Sequence, residues 1–496
     1  MSFPCVVIRL LVLAVVAAHM VAGLLPEDQA WSVWPYSLVP APFNWLAALA
    51  VAALALTPTP NRLQGWLGHV SQTLLRWAKR NLPPLEKRFW FAAIAIGMAI
   101  PFWLLRIRHL RWGDAYFIVR SLSYTGPDRP IWTIYNWQSP LSIFIHAQLW
   151  LLINPIPGVG VDTLYAVSSV LAGVGSVYVL LLLSDALGRD WAEKAAIFGL
   201  VITAGAVQLF FGYVENYTII SLGLLLTLYL GVLCLRGQIS LIWPSLSLAL
   251  TNAFHPSTLV IWPGLAYVAW RVAHRQSSTQ GKLAQWARLI LPPVLVFAGL
   301  AVLMTAGGHG PRALLTDDRP GGADGIPFVP LFQTTTEWQY YTMFSPAHLL
   351  DWANEHFLIS PVGIFTLLLA LAIIASRSRL ARHARRESES GTTIHHSPDD
   401  TGIIRFLSIA SLAYLLLTFV WNPDYGGRRD WDLFAPTAFV YTLLAAYLLT
   451  RSWPDRPTPA RAECSLAWAA LLLVAASALH TVAWIYYNTI PWPPEW

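Results

Sequence analysis

The chain has 496 residues, of which 56% are hydrophobic and 12% are charged, and this composition excludes an ordinary soluble globular protein. Its net charge of +6 reflects orientation in a membrane rather than nucleic-acid binding, so no nucleic-acid partner is expected. The cysteines Cys5, Cys234 and Cys464 have no paired spacing, which argues against a disulfide framework and against a cysteine metal site.

Apolar runs recur from one end of the chain to the other, and a run of about 20 apolar residues crosses a bilayer as a helix. The sequence therefore predicts an all-α, multi-pass membrane protein, a single integral membrane domain over 1–496 with about thirteen transmembrane helices. The predicted spans are 5–25, 43–57, 89–107, 161–184, 195–211, 217–235, 239–254, 257–271, 288–306, 357–376, 403–420, 434–450 and 465–487. The first span could instead be a cleaved signal peptide, residues 1–25, because Arg9 precedes a short apolar run that ends in small residues.

Basic residues cluster in alternate connections, which predicts the orientation of the chain. With the N-terminus in the cytoplasm, the connections that hold most of the Lys and Arg fall inside: 58–88, 271–288, 377–402 and 451–464. Part of one of them, 387–402, is polar and aperiodic and is predicted to be a disordered cytoplasmic loop. The predicted location is the plasma membrane, in bacteria the inner membrane.

Two large loops then lie outside the cytoplasm, 108–160 and 307–356. Each contains a stretch with apolar residues on one helical face, 115–122 in the first loop and 346–357 in the second, which predicts helices lying along the membrane surface. The charge rule also favours an interfacial helix at 140–153. It favours a chain reversal at Asn252-Ala253-Phe254-His255-Pro256 as well, where the proline fits a break.

Polar residues interrupt the apolar pattern at several external positions. Asp114 follows Gly113 and precedes a helix, so it is a helix cap, a catalytic carboxylate, or both. Glu215 at the end of a span is either a structural partner of an arginine or a substrate contact. His255 at a broken helix either packs in the core or donates to a phosphate. The pair Asp317-Asp318, in a loop rich in Gly and Pro, is a solvated loop charge or a substrate contact.

The densest cluster is Arg428-Arg429-Asp430-Trp431-Asp432, between two apolar runs. Charges facing lipid are costly, so this cluster predicts a water-filled pocket at the membrane surface. Arg428 and Arg429 offer planar donor groups that suit phosphate oxygens. Asp430 and Asp432 could hold those arginines or bind a divalent cation through oxygen, and a purely structural ion-pair cluster is the alternative.

This pattern resembles the glycosyltransferase-C superfamily, membrane enzymes that take sugar from a polyprenyl-phosphate carrier. The resemblance lies in Gly113-Asp114 after an early span, in the external loops, and in the segments 212–217 and 429–432. The chain departs from the family by placing two spans, 5–25 and 43–57, before the span that leads to Asp114.

The resemblance implies that Asp114 is the base that takes a proton from an acceptor hydroxyl as the hydroxyl attacks the anomeric carbon, with inversion. It implies a polyprenyl-phosphate sugar donor, membrane lipid around the site, and a glycan, lipid or protein acceptor. Arg428, Arg429 and His255 would stabilise the leaving phosphate. Glu215, Asp317 and Asp318 would be further contacts to the substrate. No cofactor is certain, and a divalent cation is an open alternative.

Other classes fit parts of the pattern. A transporter or flippase of a lipid-linked or anionic substrate would use charged residues near broken helices, although such proteins often show repeated halves, and this chain shows none. A polymerase or ligase of lipid-linked glycans would use a similar external site and differ only in its acceptor. A non-catalytic membrane scaffold is the remaining alternative.

Overall fold

The protein is built from helices, as the sequence predicts. The computed structural model describes residues 3–57, 73, 86–123, 134–315, 325–387, 398–453 and 465–493. Within these ranges the only bridge between extended residues joins Phe328 and Trp421. The prediction of an all-α membrane protein is therefore confirmed.

The α-helices of the described residues are α1 (Phe3–Val21), α2 (Phe43–Leu56), α3 (Lys87–Gly97), α4 (Ala99–Leu104), α5 (Ala115–Ser123), α6 (Pro140–Ile153), α7 (Val161–Leu187), α8 (Trp191–Ile202), α9 (Tyr217–Leu235), α10 (Ile242–Phe254), α11 (Trp262–His274), α12 (Thr279–Ala306), α13 (Pro346–Ile359), α14 (Gly363–Glu387), α15 (Pro398–Val420), α16 (Trp431–Ser452) and α17 (Leu466–Asn488). Short 3-10 helices lie at Ala22–Leu24, Trp34–Leu38, Gly205–Phe210, Pro256–Ile261 and Pro311–Leu315.

Fewer helices reach full length than the predicted thirteen spans require. The described part of the chain has eight helices that are long and apolar enough to cross a membrane, or nine if α13 and α14, bent by 90°, form one span. Each predicted span coincides with helix, so the positions are largely right. However, α2, α8, α10 and α11 have only 12 to 14 residues, and the number thirteen is not confirmed.

Helix α16 is the centre of the bundle. In its apolar window 94% of the residues are buried, compared with 17% in α12, which lies at the lipid-facing periphery. Helices α8, α9, α14 and α15 pack around α16. Small residues allow close approach between neighbouring helices, since a Cβ atom on Gly231 of α9 would lie 2.6 Å from the ring of Phe406 in α15.

The predicted reversal near Pro256 is confirmed. Helix α10 ends at Phe254, a 3-10 turn follows, and α11 begins at Trp262. Trp262 donates from its indole nitrogen to the side chain of Asn252 at 2.6 Å. At the opposite end of α11, Arg275 donates to the carbonyl of Leu235, where α9 ends. Helices α10 and α11 therefore run in opposite directions and meet at the same end of the bundle.

The two helices predicted within 108–160 and 307–356 are present as α5 and α13, but the apolar face of α5 is covered by protein. Ala115, Ile118 and Leu122 of α5 are buried in a small core with residues of α6 and α7. The prediction that α5 lies along the membrane surface stays a prediction, since protein covers its apolar face.

Helix α13 shows the arrangement that a membrane favours. Its apolar residues Leu349 and Leu350 are exposed, whereas Asn354 and Glu355 are buried against the protein. Lipid acts as the apolar solvent here, so the polar face of the helix turns toward the interior. This places polar groups of α13 close to the turn that precedes α16.

Two further expectations need correction. Residues 388–397 of the predicted disordered loop 387–402 lie outside the described residues, but α15 already begins at Pro398, so the end of that segment is helical. Cys5 is disulfide-bonded, although sequence spacing argued against disulfides. Spacing along the chain says nothing about segments that meet only in the fold.

Candidate active site

A polar cavity of about 280 Å³ opens at the end of the bundle where α10 and α15 end and where α5, α9 and α16 begin. Three carboxylates, from Asp114, Asp424 and Asp430, face it. The remaining lining consists of neutral polar, aromatic and apolar side chains: Phe117, Ile118, Ser121, Leu122, Asn136, Gln138, Ser139, Ile143, Asn216, Tyr217, His255, Pro256, Ser257, Trp421, Asn422, Tyr425 and Leu433. Among these described lining residues there is no Lys or Arg.

Asp114 reaches the cavity because Gly113 permits an unusual backbone turn. Gly113 has a φ of +48°, and a Cβ atom there would lie 2.8 Å from a carboxylate oxygen of Asp432 and 2.8 Å from one of Glu215. Its backbone N–H donates to the carbonyl of Arg429 at 2.8 Å. The turn before α5 and the turn before α16 are thereby held side by side, which only glycine allows at this position.

Glu215 lies beneath Asp114 and holds its backbone. The Glu215 carboxylate is 3% exposed and accepts the backbone N–H of Asp114 at 2.5 Å and that of Asn216 at 3.0 Å. Burial, together with the nearby charges of Asp432 and Asp114, raises the pKa of Glu215 well above its ordinary value. Glu215 thus positions Asp114 and does not line the cavity.

The Asp114 carboxylate is exposed to the cavity yet surrounded by protein on most sides. Tyr425 donates its phenol O–H to Asp114 Oδ1 at 3.1 Å. The guanidinium of Arg429 stacks over the Tyr425 ring, 4.7 Å from its centroid. Loss of bulk water raises the pKa of Asp114, whereas the Tyr425 hydrogen bond and the Arg429 charge lower it. Overall the pKa of Asp114 is raised, because the loss of water outweighs its two neighbours.

Arg428 and Arg429 do not act as one clamp. Adjacent side chains of the turn point to opposite sides, and Arg428 forms an ion pair with Glu27 in the segment between α1 and α2. Arg111, on the same side as Arg428, donates to the hydroxyl of Tyr487 at 3.0 Å. Arg429 lies beside the site through its stacking on Tyr425, but neither arginine lines the cavity, and their contact with the substrate stays a prediction.

His255 lines the cavity as a neutral ring. Its Nδ1 accepts from the backbone N–H of Ser257 at 3.2 Å and from the Ser257 hydroxyl at 2.8 Å. The ring proton is then on Nε2. Burial lowers the pKa of His255 to about 4, so it offers a neutral hydrogen-bond donor and not the cation that the resemblance implies.

The other predicted residues divide into three groups. Asp430 lines the cavity and accepts the backbone N–H of Tyr425 at 2.8 Å, and burial raises its pKa well above the ordinary value. Asp432 is buried in the first turn of α16, behind the cavity. Asp317 and Asp318 lie outside the described residues. The roles of all these residues stay predictions.

The possible divalent cation stays a prediction. Carboxylate oxygens are the right ligands for such an ion, and Asp114, Asp430 and Asp432 are neighbours. Nevertheless, no group of three or more His, Cys, Asp or Glu side chains in the described part of the chain is arranged to hold a metal ion.

An apolar groove of about 370 Å³ adjoins the polar cavity, and Pro256 lines both. Helices α10 and α12 and the turn between α10 and α11 form its walls. Its described lining residues are Trp137, Pro140, Ala249, Asn252, Ala253, Pro256, Leu259, Trp262, Pro293, Val296, Phe297, Leu300 and Leu314. The groove can take an apolar chain that lies next to the polar cavity.

Sequence reasoning missed several residues of the site. Tyr425 and Asp424 lie within five residues of the predicted charged cluster, and this proximity was the only available signal. Asn216 directly follows Glu215 and could have been found in the same way. Nothing in the sequence marks Asn136 or Gln138, because the fold alone brings the segment before α6 to the cavity.

The fold and the site define a class: a helical multi-pass membrane protein with an acidic cavity at one end of its bundle and an apolar groove beside it. No protein-family model matches the sequence, and no curated protein sequence matches it either. Solved structures of two membrane proteins are similar to it.

One is ArnT from Cupriavidus metallidurans. The apo structure of ArnT covers 75% of this chain with 15% sequence identity and a TM-score of 0.41. The structure of ArnT bound to undecaprenyl phosphate covers 81% of this chain with 12% sequence identity and a TM-score of 0.46. The other is the archaeal oligosaccharyltransferase AglB from Archaeoglobus fulgidus, in complex with an inhibitory peptide and a dolichol-phosphate, with 15% identity over 83% of this chain and a TM-score of 0.47.

The chain spans 60% of the apo ArnT chain, 76% of the ArnT chain with undecaprenyl phosphate, and 57% of the AglB chain. These are distant likenesses of fold.

Proposed function

We propose that this protein is a membrane glycosyltransferase that moves a sugar from a polyprenyl-phosphate carrier to an acceptor hydroxyl, with Asp114 as the base. One observation supports this most directly. The Asp114 carboxylate faces a small polar cavity, and an apolar groove suited to a lipid chain adjoins this cavity at Pro256, which lines both. A carrier of this class is bound in the structures of two proteins of similar fold: undecaprenyl phosphate in ArnT and a dolichol-phosphate in AglB.

The chemistry needs one strong base and a stabilised leaving group. The acceptor hydroxyl gives its proton to Asp114 while its oxygen forms a bond to the anomeric carbon. The bond from that carbon to the phosphate oxygen breaks, and the polyprenyl phosphate leaves with the electron pair. Attack from the face opposite the leaving group inverts the anomeric centre. A positioned carboxylate contributes roughly 10²–10⁴-fold to such a step.

The lining of the cavity suits one sugar unit. Amide side chains of Asn136, Gln138 and Asn216 can exchange hydrogen bonds with sugar hydroxyls, and the rings of Tyr217 and Trp421 offer apolar surfaces. Small-molecule sites usually measure roughly 300–1,000 Å³. A cavity of about 280 Å³ lies just below that range, which favours a single sugar residue over a long glycan in the pocket.

The donor phosphate is placed on the Arg429 side of Asp114. Arg429 is the cation whose charge acts on Asp114, and a guanidinium matches phosphate geometry. His255 supplies a neutral donor at the junction of cavity and groove. Phosphate charge that grows as the bond breaks is then stabilised by fixed groups rather than by mobile water.

The cavity is placed on the extracytoplasmic side. Helices that have one end at the cavity carry basic residues at their other end: Arg236 follows α9, Arg275 follows α11, Arg405 lies in the first turns of α15, and Arg451 ends α16. This distribution fits a cytoplasmic location for the far end. Reporter fusions after residues 275 and 385 should read cytoplasmic, and a Cys at Phe332, which is 88% exposed, should react with an impermeant reagent from outside. The opposite result at any of these positions would reverse the orientation.

The function itself is tested with purified protein in proteoliposomes. The protein is incubated with a panel of polyprenyl-phosphate sugars, and release of polyprenyl phosphate is followed, including slow hydrolysis without an acceptor. Turnover of at least one donor supports the proposal. Lack of turnover of every donor, together with saturable transport of a lipid-linked substrate across the bilayer, would favour the transporter alternative. Acceptors added singly then separate a transferase from a glycan polymerase or ligase.

A further inference from the structure

We infer that Tyr425 is a positioning residue for the base: its phenol O–H fixes the Asp114 carboxylate and holds it in the ionised form that accepts a proton. This inference rests on the proposed function, which assigns no task to Tyr425. In the sequence, its closeness to the charged cluster 428–432 is what distinguishes this tyrosine from the other 17 of the chain's 18.

The Tyr425 side chain is held from three directions. Its hydroxyl donates to Asp114 Oδ1 at 3.1 Å, and its backbone N–H donates to Asp430 Oδ2 at 2.8 Å. The guanidinium of Arg429 covers one face of the ring at 4.7 Å from the centroid. Asp430 and Arg429 belong to the same turn, so the ring cannot move without moving that turn. The phenol is therefore presented to Asp114 in a fixed position.

Asp114 is held in two separate ways. Glu215 accepts its backbone N–H at 2.5 Å and so fixes the main chain. Among the described residues, the hydrogen bond that reaches the Asp114 carboxylate comes from Tyr425. Tyr425 therefore fixes the side-chain orientation, which Glu215 leaves free. With Oδ1 engaged in this way, Oδ2 is the oxygen that remains to take a proton from an acceptor hydroxyl.

The bond also acts on protonation. A hydrogen bond donated to a carboxylate favours the ionised form. If Oδ1 of Asp114 were protonated, the Tyr425 hydroxyl would have to turn its hydrogen away in order to accept from it, and the present hydrogen bond would be lost. Water loss around Asp114 works in the opposite direction. Tyr425 keeps its own proton throughout the transfer, so replacing it removes an orienting bond and does not remove a proton carrier.

The test is Tyr425→Phe, which keeps the ring under Arg429 and removes only the hydroxyl. Loss of one charge-assisted hydrogen bond to the carboxylate should raise the pKa of Asp114. The acid limb of the pH profile of kcat/KM should then move to higher pH, with activity recovering at higher pH. Tyr425→Met, which also lacks a donor, is the second variant should the first fail to fold.

A second measurement does not depend on activity. The difference infrared spectrum of wild type against Asp114→Asn isolates the carboxyl band of Asp114, and its titration should move upward in Tyr425→Phe. The matched control is Tyr341→Phe, which removes a 3.0 Å hydrogen bond to Asp351 outside the cavity. It should change neither the pH profile of kcat/KM nor the titration of Asp114.

The outcomes separate the two claims. An upward shift in the titration of Asp114, absent from Tyr341→Phe, supports the inference, and it does so even if wild type turns over no donor, in which case the proposed glycosyl transfer fails. An unmoved titration, or an equal shift in Tyr341→Phe, overturns the role of Tyr425 whether or not the enzyme is active.

Discussion

The buried carboxylate of Glu215 accepts the backbone N–H of Asp114 at 2.5 Å. This single bond joins the loop before α5 to the loop before α9, two segments that lie about 100 residues apart in sequence. It also explains why a glycine precedes Asp114 and why Asp114 faces the cavity. Glycine leaves room for the Glu215 carboxylate, and Asp114 is turned toward the cavity instead of capping α5 alone.

Asp114→Asn should lower sugar transfer by roughly 10²–10⁴-fold. The asparagine oxygen can still accept from Tyr425, so the fold is preserved, but an amide cannot take up a proton at neutral pH. Initial rates of polyprenyl-phosphate release measure the effect. Asp190→Asn is the matched control, because Asp190 caps α8 through Glu193 N–H at 3.0 Å, remote from the cavity. Full activity in Asp114→Asn would remove this residue from the role of base.

Stability should fall as the pH rises above the ordinary range of carboxyl groups. Burial raises the pKa values of Glu215 and Asp430, so the folded protein keeps protons that the unfolded chain releases near pH ~4. A raised pKa stabilises the fold at low pH, and that stabilisation is lost as the pH passes upward through the folded value. Thermal unfolding in detergent from about pH 5 to about pH 8 should show a declining Tm, with a flatter decline in Glu215→Gln. A Tm that rises over this range would contradict the assignment.

Much of this architecture could be predicted from the sequence, because apolar periodicity marks helices and interruptions mark their ends. The positions of the helices and the reversal at Pro256 followed from such patterns. Periodicity identifies the two faces of α13 but does not say which face is buried. In lipid the apolar face is the outer one, and the polar face with Glu355 turns inward.

The site could be predicted only in part, for a different reason. Charges such as Asp114 and Asp430 interrupt apolar runs and could be singled out, since lipid penalises them. The direction of a side chain in an irregular turn depends on the backbone, so sequence alone could not separate Arg429, which stacks on Tyr425, from Arg428, which pairs with Glu27. Neutral lining residues such as Asn136 leave no signal at all.

Arg429→Ala should raise the KM for the lipid-phosphate donor more than the KM for the acceptor, because it removes the cation beside Asp114 and the stacking on Tyr425. Arg428→Ala is the natural comparison, since it breaks a half-exposed ion pair with Glu27 that contributes at most about 1 kcal/mol to stability. Its donor KM should change less. Steady-state kinetics with donor and acceptor varied in turn provide the measurement. Equal effects of the two substitutions would mean that the turn acts as a structural ion-pair cluster.

The apolar groove should select for the lipid part of the donor. Ala253 is 3% exposed and lines the groove, so Ala253→Trp should fill it and raise the KM for a long-chain polyprenyl-phosphate sugar at least about tenfold, the equivalent of roughly 1.4 kcal/mol of lost binding. The KM for a short-chain analogue that does not enter the groove should stay the same, because the polar cavity is unchanged. Val302→Trp is the control, since Val302 of α12 is 72% exposed on the side that faces lipid. If Ala253→Trp affects long and short donors equally, the groove does not hold the carrier chain. A raised KM for the long-chain donor in Val302→Trp as well would point to a general disturbance of α12.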